Sequence, residues 1–421
     1  MKQPDRKKGP EQVEERRPFE TLEEFLKEEL HGFVVGAGMM ALAAALEEER
    51  TLACGPRYEQ DPEREASRAG YAPGELVLGG RRVAVQRPRA RTKDGHEVRL
   101  PSWQRFSNED PLHRRAVDQM VVGVATRKYR RSLEEIPPGV RVRGASKSAV
   151  SRRFVATTRA RLATWLHTSL SDLSLAALMI DGVHFAEHVV LVALGIDEAG
   201  KKHVLGLWEG ATENATAGTA LLANLRERGL RTDRSILVVL DGAKALAKAV
   251  RDVFGERALI QRCQVHKKRN VLDQLPEHAR ASVSAAMSEA YLSEEASRAE
   301  RQLANLARRL EAEHPGAAAS LREGLNETLT VMRLELPRAL ERTLATTNPI
   351  ENLVGRSRHV TRNVKRWRGG SMVLRWMATA VHEAAKGFRR LRGYAGITKL
   401  VAALRANDVK LDGVDQVKEV A

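Results

Sequence analysis

From Ala176 to Cys263 the apolar residues gather into short, almost unbroken runs: Ala176–Ile180, Glu187–Ile196, His203–Trp208, Ile236–Leu240 and Ala258–Cys263. Runs of this length, bounded by Gly and Asp, predict buried strands. An Asp197-Glu198-Ala199-Gly200 turn joins the second strand to the third. Between the third and fourth, Ala215–Arg228 reads as a helix stopped by Gly229, and Lys244–Phe254 reads as another before the fifth. The predicted order is β-β-β-α-β-α-β.

Outside this stretch the spacing is helical. Leu22–Glu49 reads as a helix with a small-residue apolar middle, and Pro111–Leu133 as another. Residues 53–75, with scattered Gly, Pro and charge, suggest a loop. Leu76–Val85 and Glu97–Leu100 flank an Asp94-Gly95 turn and predict a small, strongly basic β-hairpin. Residues 271–345 are rich in Ala, Glu, Arg and Leu, with Leu303, Leu306 and Leu310 on one helical face and breaks at Pro276, Pro315 and Pro337. They read as an all-helical insertion. The strand order is that of a ribonuclease H-like core, in which the first and fourth strands lie side by side. The expected fold class is therefore α/β: a ribonuclease H-like catalytic core interrupted by a helical insertion, with a mainly helical N-terminal DNA-binding region. The expected segments are a disordered tail (1–20), a DNA-binding region (21–165), the first part of the core (166–270), the insertion (271–345), a glutamate helix with a basic C-terminal part (346–395) and a tail (396–421).

Charge narrows the partner. Lys and Arg number 70 against 54 acids, a net charge of +16 in 421 residues. Such a balance favours an anionic partner, DNA or RNA before membrane. No apolar run approaches the roughly 20 residues that span a bilayer. The two cysteines, Cys54 and Cys263, exclude a disulfide framework and suit the cytoplasm, with nucleoid association following from a DNA partner. No phosphate-binding loop or GxGxxG unit is present, so no nucleotide cofactor is expected.

Three carboxylates carry the candidate chemistry. Asp181 and Asp241 each follow an apolar strand and precede Gly; Glu351 lies in Thr346-Thr347-Asn348-Pro349-Ile350-Glu351-Asn352, which reads as a first helical turn. A lone Asp-Gly after a strand is usually a turn device. Two on adjacent strands, with a helical glutamate, can cage a pair of Mg²⁺ ions, with Mn²⁺ as a substitute. Such a pair clamps the attacking and leaving oxygens of a phosphodiester displacement. Glu351 has a competing reading: Asn348 as N-cap, Pro349 at the first helical position and Glu351 completing a capping box. Glu213 is a weak fourth carboxylate, and Thr212 or Asn214 can cap the helix after it.

Basic residues supply candidate DNA contacts. Arg141 to Arg161 holds seven Lys/Arg and no acid. Within it, Gly144–Phe154 resembles the turn and second helix of a helix-turn-helix. Ser146 is the expected N-cap, Val150 and Phe154 face the core, and Lys147, Ser148, Ser151 and Arg152, with Arg153 beside them, face a groove. The competing reading is a solvated basic helix face. Arg358, two turns beyond Glu351, and Arg362 are placed to hold phosphates. Cys263-Gln264-Val265-His266 is half a zinc site; two cysteines so far apart leave too few soft ligands for structural zinc. Cys263 and His266 are expected to shape the site.

Together these segments resemble the Mutator-type transposases of bacterial insertion sequences. The likeness rests on Met179-Ile180-Asp181-Gly182, Glu209–Asn214, Leu240-Asp241-Gly242, Gln261–Asn270, Thr346–Glu351 and, less specifically, Ser146–Phe154, spanning roughly residues 75–395. It implies an Asp-Asp-Glu triad at Asp181, Asp241 and Glu351, a following basic residue at Arg358, and binding to the terminal inverted repeats of a mobile element. The expected activity is metal-dependent DNA cleavage and strand transfer into target DNA by a dimer or larger assembly. The alternatives are an inactive, transposase-derived DNA-binding regulator and a ribonuclease H-like nuclease without strand transfer.

Overall fold

The computed structural model describes residues 22–59, 64–108, 110–134, 140–210 and 215–420. Residues 1–20 and the Ala211–Asn214 segment, including Glu213, lie outside the described residues. The chain divides into two compact units, one of Met1–Gln119 with Val124–Arg153 and one of Met120–Gly123 with Phe154–Ala421.

The first unit contains α1 (Leu22–Cys54), a hairpin of β1 (Ala66–Leu78) and β2 (Arg81–Thr92), α2 (Pro101–Ser107), most of α3 (Asp110–Val121), β3 (Val142–Arg143) and the start of α4 (Lys147–Leu166). Gly79 and Gly80 have φ of 57° and 77°. Two consecutive positive φ values make the two-residue loop whose twist suits a hairpin. Leu76–Val85, which the sequence pattern presents as one strand, is therefore folded back on itself, with Leu78 opposite Arg81. Residues 66–75, read as loop, form the body of β1. The Asp94-Gly95 turn comes later and returns Glu97 to Arg91. Tyr129 donates its hydroxyl to the Gly80 carbonyl at 3.0 Å, and Leu42, Leu46, Leu76 and Leu100 pack α1 on the hairpin.

In the second unit, the sheet consists of β4 (Leu175–Phe185), β5 (His188–Asp197), β6 (Lys202–Gly210), β7 (Ile236–Leu240) and β8 (Ala258–Arg262), with α5 (Ala215–Glu227) and α6 (Lys244–Phe254) between the last three. The spatial order is β6-β5-β4-β7-β8. Pairing is antiparallel on the β5 side of β4 and parallel on the β7 side. Every residue of β7 is buried, because helices cover both sheet faces; this is why its sequence is apolar without alternation. Leu178, Ile180, Val238 and Leu240 join Leu221, Leu225, Leu246 and Val250 of α5 and α6 in one core.

After β8 come α7 (Gln264–Leu272), α8 (Glu277–Tyr291), α9 (Ala296–Leu310), α10 (Pro315–Arg322) and α11 (Thr330–Arg333). They bury a core of their own, including Val271, Met287, Leu303, Leu306, Leu310, Leu321 and Met332. Gln261 ties this helical body to the sheet: its Nε2 donates to the Thr328 carbonyl at 3.0 Å, and its Oε1 accepts the Val331 N–H at 2.9 Å.

The chain then returns as α12 (Arg338–Leu344), α13 (Asn348–Thr361), α14 (Gly370–Ala385) and α15 (Ile397–Val420), covering the other sheet face. Residues 396–421, read from sequence as a tail, carry α15, whose Ile397, Leu400 and Leu404 lie in that core. Asp408 of α15 accepts the Ser235 N–H at 2.7 Å, next to the start of β7. Among the described residues, no helix is long and apolar enough to cross a membrane.

Candidate active site

β4 and β7 pair in parallel from Ala177 opposite Leu237 to Ile180 opposite Leu240. Asp181 and Asp241 are the next residues on these neighbouring strands. Side chains alternate across a sheet. Asp181 shares its parity with Met179 and Val183, and Asp241 with Leu237 and Val239. Those four are buried in the core that also holds Ile350, Leu353 and Val354 of α13. Asp181 therefore lies on the face that α13 covers, and Asp241 stands one residue beyond the end of β7; among the described residues neither joins Glu351 in a close group of metal-ligating side chains.

The two aspartates are held differently. Asp241 leaves the end of β7, accepts the Ala243 N–H at 2.9 Å, and is followed by Gly242 with φ of 116°. A Cβ on Gly242 would lie 2.3 Å from Arg262 Nε, so this turn requires glycine. Asp181 does not end its strand: β4 runs on to Phe185, with Asp181 opposite Val192 of β5. Only the parallel pairing stops there, and Gly182 is a strand residue rather than a turn residue.

Glu351 is placed by α13, whose cap is shifted by one residue from the sequence expectation. Thr347 is the N-cap, and no side chain caps the helix. The Thr347 carbonyl accepts the N–H groups of Ile350 and Glu351, each at 3.0 Å. Glu351 thus sits at the fourth helical position, not the third, so the capping box does not form. Its carboxylate instead accepts the Thr347 hydroxyl. The Glu351 side chain is 41% exposed.

Cys263 connects this helix to the strand ends. Its N–H donates to the Leu240 carbonyl at 2.7 Å, and the Gln264 N–H donates to Ala345 at 3.0 Å. The Thr347 N–H donates to Cys263 Sγ at 3.4 Å. The Thr347 hydroxyl lies 3.3 Å from Sγ and 3.2 Å from His266 Nδ1. His266 Nδ1 is 3.7 Å from Glu351 Oε1. Among the described residues, Cys263, His266 and Glu351 form a group whose ligand atoms lie within 4.8 Å of one another. Burial pushes the Cys263 thiol up, but hydrogen bonds with His266 and Thr347 outweigh it and hold the thiol below its ordinary value. The bond with Cys263 raises His266; burial opposes this, while the charges of Cys263, Glu351 and Asp241 add to the rise. His266 thus senses both Asp241 and Glu351.

The basic residues fall into two groups. Lys147, Ser148, Ser151 and Arg152 are exposed on α4, whereas Val150 and Phe154 are buried. Ser146 Oγ accepts the Ala149 N–H at 3.3 Å, as an N-cap does. Arg153 departs from the set: it is half-buried, and its guanidinium donates to the Gly144 carbonyl. The element before this turn is β3, with Val142 paired to Val83. Among the described residues, the element that leads through the turn into α4 is β3, so the local geometry there is strand-turn-helix. Arg358 and Arg362 are exposed at the C-terminal end of α13.

Residues 13–390 match the family model described as "Transposase, Mutator family". The chain belongs to this family. One relative, the transposase for insertion sequence element ISRM5 of Rhizobium meliloti (strain 1021), is 28% identical over 346 residues, 80% of this chain and 85% of the relative. The transposase for IS6120 of Mycolicibacterium smegmatis is 32% identical over 189 residues, 44% of this chain and 57% of the relative. The transposase for IS256 in transposon Tn4001 of Staphylococcus aureus is 29% identical over 231 residues, 52% of this chain and 56% of the relative.

Two residues of this candidate site are silent in the sequence. Thr347 reads as one of two threonines before a helix, yet its hydroxyl touches Cys263, His266 and Glu351. Lys267 reads as one more basic residue but is fully buried, and its Nζ donates to the Ser320 and Glu323 carbonyls at the end of α10. Burial pulls its ammonium down to about 8. The only local signal for either was position inside the Gln261–Asn270 and Thr346–Glu351 segments.

Proposed function

We propose that this chain is an active DNA transposase that binds the terminal inverted repeats of an insertion sequence, cleaves DNA at the element ends and transfers the freed 3′-OH strands into target DNA. The observation that carries the reading is that Asp181 and Asp241 follow directly on the parallel-paired stretches of neighbouring strands β4 and β7, in the sheet that the Glu351 helix packs against. The strand order and the helical body between β8 and α13 support a ribonuclease H-like core with an insertion. The names of the relatives, all transposases for insertion sequence elements, support the substrate class.

The donor set fits a hard cation: Asp181, Asp241 and Glu351 offer only oxygens and are all partly exposed. When bound there, two Mg²⁺ or Mn²⁺ ions would supply an activated nucleophile and charge stabilisation at the scissile phosphate. The protein's own part is positional. The strand register sets Asp181, the Ala243 N–H and Gly242 turn set Asp241, and the Thr347 hydroxyl orients Glu351. Arg358, two turns along α13 from Glu351, is placed for a phosphate. Lys147, Ser151, Arg152 and Arg362 contact the DNA backbone, while Arg153 holds the turn that presents α4. Two element ends must be processed together, so the active species is a dimer or larger assembly on DNA.

The test is an oligonucleotide assay with the inverted repeats that flank the gene. Mg²⁺-dependent cleavage followed by joining to a second duplex supports the reading. Cleavage without joining assigns a nuclease, and end-specific binding without cleavage assigns a regulator.

A further inference from the structure

We propose that Cys263, His266 and Glu351 form a second, thiophilic cation site that takes Zn²⁺, and that filling it withdraws Glu351 from catalysis. The cysteine and histidine alone are half a site. The fold adds a carboxylate from α13, with all three ligand atoms within 4.8 Å of one another. Bonds of about 2.0–2.2 Å from a tetrahedral Zn²⁺ to nitrogen and oxygen place those two ligands about 3.3–3.5 Å apart. His266 Nδ1 and Glu351 Oε1 stand 3.7 Å apart, so a small side-chain adjustment brings them to that spacing. Thr347 Oγ1, 3.3 Å from Sγ and 3.2 Å from Nδ1, stands where a fourth ligand or its bound water belongs.

Ligand chemistry decides which ion enters. Thiolate and imidazole select Zn²⁺ over Mg²⁺, whereas the Asp181–Asp241 side offers only oxygen. Access is from the Glu351 side: His266 is 18% and Glu351 41% exposed, while Cys263 is buried. The site is not a structural zinc, because the Thr347 N–H already satisfies Cys263 Sγ without a metal. Zn²⁺ bound to Cys263 and His266 competes for the Glu351 carboxylate, whose Oε1 already lies on that side, so Zn²⁺ acts as an inhibitor. The binding half of this inference stands on the side chains alone; the inhibitory half rests on the proposed role of Glu351.

The test uses the full chain, stripped with chelator and titrated in separate samples with Zn²⁺ and with Co²⁺. The expected result is a single tight Zn²⁺ per chain and a thiolate-to-cobalt absorption band. Cys263→Ser and His266→Asn should each weaken Zn²⁺ binding about 100-fold or more, and Asp181→Asn by less than about threefold. Cys54, in the other unit, is the control: Cys54→Ser should keep the cobalt band. Because that band reports thiolate ligation in the unaltered protein, the test does not depend on the Cys263 variant folding. No bound Zn²⁺, no thiolate band, or a band unchanged in folded Cys263→Ser overturns the site. In Mg²⁺ buffer, equimolar Zn²⁺ should stop DNA cleavage, and chelator should restore it. Full cleavage with Zn²⁺ bound overturns the inhibitory half. A Zn²⁺-binding protein that never cleaves DNA, even after stripping, supports the site and overturns the proposed function instead.

Discussion

Glu351→Gln separates the structural from the chemical role of the glutamate. With Thr347 as N-cap, the glutamate closes no capping box, so its structural worth is the hydrogen bond from the Thr347 hydroxyl plus its place near the helix N-terminus. A hydrogen bond to an ionised group contributes about 1.5–3 kcal/mol and a neutral one about 0.5–1.5 kcal/mol, so the amide loses roughly 1 kcal/mol. Losing a negative charge in the first helical turn costs about 0.3–1 kcal/mol more. The expected destabilisation is therefore about 1–2 kcal/mol, a shift of a few degrees in Tm for a unit of this size. Catalysis should fall about 1000-fold or more, about 4 kcal/mol of barrier, because a neutral amide is a poor partner for a hard cation. Thermal melts, DNA binding and strand transfer should be measured on one preparation. A Gln variant that cleaves and joins DNA within about tenfold of the unaltered protein would refute the metal-ligand role.

Asp181→Asn and Asp241→Asn keep the acceptor oxygen that the Gly182 and Ala243 N–H groups use; cleavage and joining should be lost in gel assays while DNA binding persists, and normal strand transfer by either variant would remove that aspartate from the mechanism. Arg152→Ala should weaken DNA binding and lower the slope of log affinity against log salt by about one, with little change in Tm. Arg153→Ala should instead destabilise the first unit by about 1–3 kcal/mol, because it frees the Gly144 carbonyl; equal effects of the two variants on the salt slope would contradict the structure. Burial alone would raise Asp197, but hydrogen bonds from His203 and from the Lys201 and Ala199 N–H groups hold its carboxyl below the ordinary 3.8. The folded value is the lower one, so this contribution is complete above pH 3.8 and is lost as pH falls through the folded value; the Tm gap between the unaltered protein and Asp197→Asn should be widest near neutrality and close in acid.

The sequence by itself determined the elements whose signal is local. The apolar runs at Ala176–Ile180 and Ile236–Leu240 are strands because a sheet covered on both faces needs no polar alternation. Leu303, Leu306 and Leu310 mark a helix because their spacing matches its period, and Ser146 caps α4 as its type suggests. Chain order alone placed Asp181 and Asp241 on strands that can be neighbours. Where two local rules competed, tertiary packing chose between them. The Gly79-Gly80 loop, packed under Tyr129, split what reads as one strand. Pairing of Val142 with Val83 put a strand where a helix was expected before α4, and contacts with Cys263 moved the α13 cap from Asn348 to Thr347. The α15 helix looked featureless because its few buried positions, Ile397, Leu400 and Leu404, gain meaning only against the sheet. The meeting of Cys263, His266, Thr347 and Glu351 was beyond any local reading. Their side chains converge only because the helical body between β8 and α13 closes on itself and returns the chain to the strand ends, and a contact made by loop closure leaves no period in the sequence.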